Sequence, residues 1–119
     1  NKLNEKLLFD GNNIITSDVK GNIVVYSIGK KEIVLKYNFY KKKFKNIKKN
    51  LNIIIEGDIM YASDNLGYLY ALDYKKKQLV WAKNFKIPFR SNIKISGTNI
   101  ITADQNDAVD VILSYVEIV

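Results

Sequence analysis

The sequence contains no cysteine and no histidine. Without cysteine there is no thiolate nucleophile, no disulfide and no thiolate metal ligand. Without histidine there is no side chain whose ordinary pKa falls near neutrality. Those two absences remove Cys/His metal sites and histidine acid–base chemistry together, although the lack of cysteine does not fix a redox compartment. Arginine occurs once, at Arg90, and proline once, at Pro88. The net charge is +7, but every basic residue other than Arg90 is lysine. Arginine is the side chain that clamps phosphates and reads base edges in bidentate fashion, so its scarcity argues against nucleic acid as a partner. No apolar run approaches the ~20 residues that span a bilayer as a helix. No secretory leader is visible. The chain starts at Asn1 rather than at methionine, and we expect a fragment or a processed product.

What is present is a globular composition, 47% hydrophobic and 26% charged, organised by a repeat. Gly11-Asn12-Asn13-Ile14-Ile15-Thr16-Ser17-Asp18, then Gly21, is followed forty-six residues on by Gly57-Asp58-Ile59-Met60-Tyr61-Ala62-Ser63-Asp64, then Gly67. A third start, Gly97-Thr98-Asn99-Ile100-Ile101-Thr102-Ala103-Asp104, comes forty residues after the second. A period of this length, with several short strands per period, is that of a β-propeller blade. A single blade cannot bury both of its faces, whereas stacked blades cover one another. The expected fold is all-β: a β-propeller fragment of about two and a half four-stranded antiparallel blades, short of the roughly four to eight that close a ring. Residues 1–10 read as the end of a preceding blade or a lead-in, 11–50 as the first blade, 51–90 as the second, and 91–119 as an incomplete third with an atypical tail. That tail, from Asp107 to Val119, has no lysine and no asparagine, and Asp107 stands where the earlier units have Gly21 and Gly67. It reads as a divergent final strand pair or as a segment of different origin.

Alternation predicts strands at 12–18, 22–28, 32–39, 51–56, 59–64, 68–74 and 78–85. Between Tyr68 and Tyr74 one face carries three tyrosines and Leu72, and the other carries Leu69, Ala71 and Asp73. A small residue at mid-strand suits a sheet approached closely by a neighbour.

The most specific string is Ala62-Ser63-Asp64-Asn65-Leu66-Gly67-Tyr68-Leu69-Tyr70-Ala71-Leu72-Asp73, then Gln78-Leu79-Val80-Trp81. It resembles the pyrroloquinoline-quinone-like propeller repeat family, whose blades read Gly-x-Leu-Tyr-Ala-Leu-Asp, a tight turn, then Lys or Gln and a Trp. In physical terms Gly67 permits the turn between adjacent strands. Ala71 admits the next blade, Asp73 accepts hydrogen bonds from turn amides, and Trp81 supplies packing surface. Gly21, Val24, Val25, Tyr26, Ser27, Glu32 and Leu35 form a weaker copy in the first unit, with Leu35 at the tryptophan position. The repeat's turn usually closes on Gly; here Lys31 and Lys77 stand there, which is expected to loosen the turn.

Within this superfamily the chain most resembles the propeller lipoproteins of outer-membrane β-barrel assembly. That resemblance implies a non-enzymatic scaffold for protein–protein interaction, at the periplasm or inner face of the outer membrane if a leader or lipoprotein sequence precedes residue 1. It implies a protein partner, the barrel protein of the outer-membrane assembly machine, and admits peripheral membrane association. In those proteins a Leu-Arg pair after a blade's Trp strand helps dock the barrel protein; Phe89 and Arg90 occupy the corresponding connection here, expected exposed on a rim. The alternatives are a quinoprotein dehydrogenase fragment, which would need a carboxylate/amide metal cluster and a Trp beneath the quinone, or a propeller sensor or adaptor. No catalytic, cofactor or metal residues are identifiable. Asp18, Asp64 and Asp104 recur before each turn, where aspartate serves turn amides. Lys41, Lys42, Lys43, Lys45, Lys48 and Lys49 form the sharpest charge cluster, read either as a solvated inter-blade loop or as a face for anionic headgroups.

Overall fold

The computed structural model describes residues 7–86, 88–89, 93–96, 99–103 and 109–113. Among them are eleven strands and no helix: β1 (Leu8–Asp10), β2 (Asn13–Ser17), β3 (Asn22–Ser27), β4 (Glu32–Asn38), β5 (Asn52–Glu56), β6 (Ile59–Ser63), β7 (Tyr68–Asp73), β8 (Gln78–Asn84), β9 (Lys94–Ser96), β10 (Asn99–Ala103) and β11 (Val109–Leu113). They form three antiparallel sheets, ordered β1-β2-β3-β4, β5-β6-β7-β8 and β11-β10-β9. The chain divides into two compact units, Asn1–Asn50 and Leu51–Val119. The first unit holds the first sheet and the second holds the other two.

The repeat is a repeat of structure. Strands β2, β3 and β4 map onto β6, β7 and β8 at the same offset of forty-six, end for end. Even the irregularity recurs: register slips between Val25 and Tyr26 in the first sheet and between Ala71 and Leu72 in the second. A bulge kept at one place bends both sheets alike. The offset from β6 to β10 is forty because the stretch from the end of β4 to the start of β6 is six residues longer than that from the end of β8 to the start of β10.

Two expectations change, at residues 8–10 and at Lys31 and Lys77. Residues 8–10 are neither lead-in nor the end of a preceding blade. As β1 they pair with β2, Leu8 opposite Ile15 and Phe9 opposite Ile14, because apolar cross-strand pairs favour that register. Residues 109–113 of the atypical tail form β11, with Ile112 opposite Ile100 and Val111 opposite Ile101. A run rich in β-branched residues suits a pleated ladder whatever the composition around it. Lys31 and Lys77 do not loosen their turns: each adopts the left-handed conformation itself, at φ 56° and 59°. The turn geometry is kept at a cost of about 1–2 kcal/mol in backbone strain at a non-glycine residue.

In the second unit the core joins two sheets. Tyr61, Leu69, Ala71 and Trp81 from the second sheet pack with Phe89, Ile93 and Ile100, the last from β10 of the third sheet. Tyr61 and Trp81 meet with ring centroids 6.3 Å apart. The other face of the second sheet is also buried, at Met60, Ala62, Tyr70 and Leu72.

Candidate interaction surface

One end of each four-stranded sheet is built around an aspartate. After β2, Asp18 Oδ1 accepts hydrogen bonds from the Lys20 and Asn22 amides at 2.9 and 3.0 Å, and Oδ2 accepts from Asn22 Nδ2 at 2.9 Å. After β6, Asp64 Oδ1 accepts from the Leu66 and Tyr68 amides at 2.9 and 2.8 Å. Both carboxylates are buried. These side chains tie the turn amides that the ladder leaves over. Glycine completes each turn in the left-handed region, Gly21 at φ 87° and Gly67 at φ 99°. At Gly21 a Cβ would also collide with the Tyr40 ring.

The connection leaving each sheet is laid across that same turn. In the first unit Asn38 Nδ2 donates to the Lys20 carbonyl at 3.1 Å and to Asn22 Oδ1 at 3.0 Å, and its Oδ1 accepts from the Tyr40 amide at 2.8 Å. The Lys49 amide then donates to the Val19 carbonyl at 2.8 Å. In the second unit the Phe85 amide donates to the Gly67 carbonyl at 2.8 Å, Asn84 Oδ1 accepts from the Lys86 amide at 2.8 Å, and the Phe89 amide donates to the Asp64 carbonyl at 3.1 Å. A turn and a connection are thus fastened together at the same end of both sheets. Loops fixed on a rigid scaffold are where binding residues concentrate.

The motif residues separate into two groups. Ala71 and Trp81 lie in the sheet-to-sheet core, and Gly67 closes the Asp64 turn. Asp73 lies at the opposite end of β7, where Oδ1 accepts from the Lys75 and Lys76 amides at 3.1 and 3.0 Å. Ser27, its counterpart forty-six residues earlier, accepts from the Lys30 amide at 3.1 Å. Phe89 was expected to be exposed, and it is not. It is 4% exposed and sits in the core beside Trp81, with its ring 5.6 Å from that of Phe85. The hydrogen bond from its amide to Asp64 draws the connection inward, and burying an aromatic ring there stabilises that path. Arg90 and Asp104 lie outside the described residues. On the tyrosine-bearing face of β7, Tyr70 and Tyr74 are buried, and Tyr68 stacks on Tyr70 at 5.7 Å.

The parts played by three residues escaped the sequence reading. Asn38 and Asn84 recur at the repeat offset and could have been found by it. Lys49, buried beneath its lysine-rich loop, carries no sequence signal that separates it from its neighbours. Among the described residues no group of three or more acidic, cysteine or histidine side chains is placed to hold a metal ion. No described helix is long and apolar enough to cross a membrane.

Comparison with known structures places this geometry. The β-propeller domain of Cps50 (Swd1) from Myceliophteria thermophila superposes with a TM-score of 0.78 at 11% identity, over 96% of this chain and 36% of that one. BamB from Moraxella catarrhalis gives a TM-score of 0.68 at 18% identity, over 89% of this chain and 30% of that one. The fold is that of a β-propeller. The computationally designed protein Ika8 gives a TM-score of 0.71 at 13% identity, covering 90% of this chain and 32% of the designed one. The chain spans about a third of the length of each of these three structures. At such identities the likeness is one of fold. No protein-family model and no curated sequence matches.

Proposed function

We propose that this chain is the blade segment of a non-enzymatic β-propeller scaffold that binds a protein partner in the bacterial envelope, in the manner of the barrel-assembly propellers. The observation that carries the reading is where the chemistry-bearing side chains go. Asp18, Asp64 and Asp73 accept hydrogen bonds from turn amides, and Trp81 is packed between two sheets. Side chains committed in this way build a platform, and the loops fastened across its Asp turns are what it presents. The fold likeness to BamB supports the scaffold role, since a propeller acts through what its loops display. A quinone-binding enzyme would need Trp81 as an open platform, and here it is part of the core.

With Phe89 buried, the proposed partner contact rests on Arg90 alone, and Phe89 anchors the connection that carries it. Arginine beside a rigid anchor is a common interface hot spot. The test is binding of the intact protein to the purified barrel protein of the assembly machine, with and without Arg90→Glu. The scaffold reading expects binding to be lost while the melting temperature is unchanged. Undiminished binding would remove Arg90 from the site. No binding by the unaltered protein would leave only a propeller adaptor of another partner. Cell fractionation of the whole gene product tests the envelope location, and recovery in the cytoplasm would overturn it.

A further inference from the structure

The connection from β4 to β5, longer than its counterpart after β8, carries the most basic segment of the chain. From Ile33 to Ile55 there is no acidic residue, while Lys36, Lys41, Lys42, Lys43, Lys45, Lys48 and Lys49 all fall within that stretch. The structure sorts these lysines. Residues 41–48 are exposed throughout, whereas Lys49 is buried, its ammonium donating to the Phe44 carbonyl and lying 5.3 Å from the centre of the Tyr40 ring. The loop is therefore held at both ends. Tyr40 is buried over Gly21 at one end, and Lys49 and Leu51 are buried at the other, with the Lys49 amide on the Val19 carbonyl. Between these anchors the chain folds back in two turns, Lys43 amide to Tyr40 carbonyl at 2.8 Å and Ile47 amide to Phe44 carbonyl at 3.1 Å. Lys41 and Phe44 take left-handed φ values of 53° and 56°. The result is a fixed basic loop that leaves two large apolar side chains, Phe44 and Ile47, exposed among lysines.

We infer that this loop docks the protein onto an anionic phospholipid surface, with Phe44 and Ile47 entering the headgroup region and Lys41, Lys42, Lys43 and Lys45 facing the phosphates. Three observations favour lipid over the other polyanion that lysines attract, a nucleic acid. The cations are ammonium point charges with no guanidinium fork among them, and so carry no means of bidentate phosphate or base recognition. Of the two exposed apolar side chains only Phe44 has a ring on which a base could stack, and Ile47 has none. Apolar side chains ringed by lysine are the composition of an interfacial anchor, in which insertion and headgroup attraction add. Tethering at Tyr40 and Lys49 keeps the two apolar groups and the cations on one short loop, so little ordering is left to be done on contact. The inference is independent of the partner proposed for Arg90.

Co-sedimentation of the whole chain with vesicles tests it. Vesicles of phosphatidylglycerol mixed with phosphatidylcholine are expected to retain the protein, and vesicles of phosphatidylcholine alone are not. Binding should weaken as salt is raised. Lys42→Gln/Lys43→Gln/Lys45→Gln, all at exposed positions, should lower affinity for the anionic vesicles about a hundredfold, or about fivefold per lysine. Phe44→Ser/Ile47→Ser, verified as folded by circular dichroism, should keep some binding at low salt and lose it at physiological salt. Equal binding to both vesicle types, or an unchanged affinity in the lysine triple variant, would overturn the inference. Retention of the serine double variant at physiological salt would overturn the insertion of Phe44 and Ile47. Tighter binding to a single-stranded oligonucleotide than to anionic vesicles would overturn the choice of lipid.

Discussion

Strands β3 and β7 occupy the same place in their sheets, carry the same bulge and lie forty-six residues apart, yet they are buried differently. In β7, Leu69, Tyr70, Ala71 and Leu72 are all buried, so both faces are covered. In β3, Ile23 and Val25 are buried while Val24 is half-buried and Tyr26 is 38% exposed. The contrast extends across the sheet. Phe9, Ile14, Tyr26 and Ile33 stand opposite one another in a single row, with Phe9 and Ile33 at 65% and 58% exposure. In the second sheet Met60 and Leu72, the counterparts of Ile14 and Tyr26, are fully buried, and the outer-strand Leu79 remains exposed. A repeated local sequence therefore fixes the strands, the bulge and the turns, while coverage of a face comes from what packs on it. The second unit shows how such covering works. Ile100 of β10, the counterpart of Met60 and Ile14, packs against the Leu69, Ala71 and Trp81 face of the preceding sheet.

The largest effect should come from the face that is covered in both sheets. Trp81→Ala is expected to cost about 3–5 kcal/mol, as for other large buried aromatics. Leu35→Ala, its buried counterpart, should cost about 2–5 kcal/mol. Equilibrium urea unfolding measures both; a loss below ~1 kcal/mol at Trp81 would mean that the two sheets of the second unit do not share a core. A smaller effect of opposite sign is expected in the turns. Lys77→Gly and Lys31→Gly should each stabilise by about 0.5–1 kcal/mol, because relief of left-handed strain exceeds the added entropy of an unfolded glycine. Destabilisation by either would show that the lysine side chain contributes more than its backbone costs. The smallest effect is expected at Ser63, whose buried hydroxyl has no hydrogen-bond partner. Ser63→Ala should leave the melting temperature unchanged or slightly raised, since no hydrogen bond is lost. A clear drop would reveal a bond to that hydroxyl.

Much of the fold was legible because its determinants are local. Alternation and glycine placed β2, β3, β4, β6, β7 and β8 to within a residue at each end, and aspartate before the turn announced the amide-binding role of Asp18 and Asp64. The candidate site was less legible because its determinants are tertiary. Phe89 follows Pro88 in a connection that looks like an open loop, and its burial depends on a backbone bond to Asp64, twenty-five residues earlier. Lys49 looks like one more member of a solvated run and is instead the loop's buried anchor. The pairing of Leu8 and Phe9 with β2 was missed because three residues are too few for periodicity to register.

The central claim is that, among the described residues, equivalent positions of the repeat differ in energetic weight because one sheet is buried on both faces and the other on one. Leu72→Ala and Tyr26→Ala, forty-six residues apart and both on the face in question, test it most directly in one urea titration series. The account predicts a cost of about 2–5 kcal/mol at Leu72, where a fully buried side chain is removed, and under about 1 kcal/mol at Tyr26. Equal costs at the two positions would contradict it.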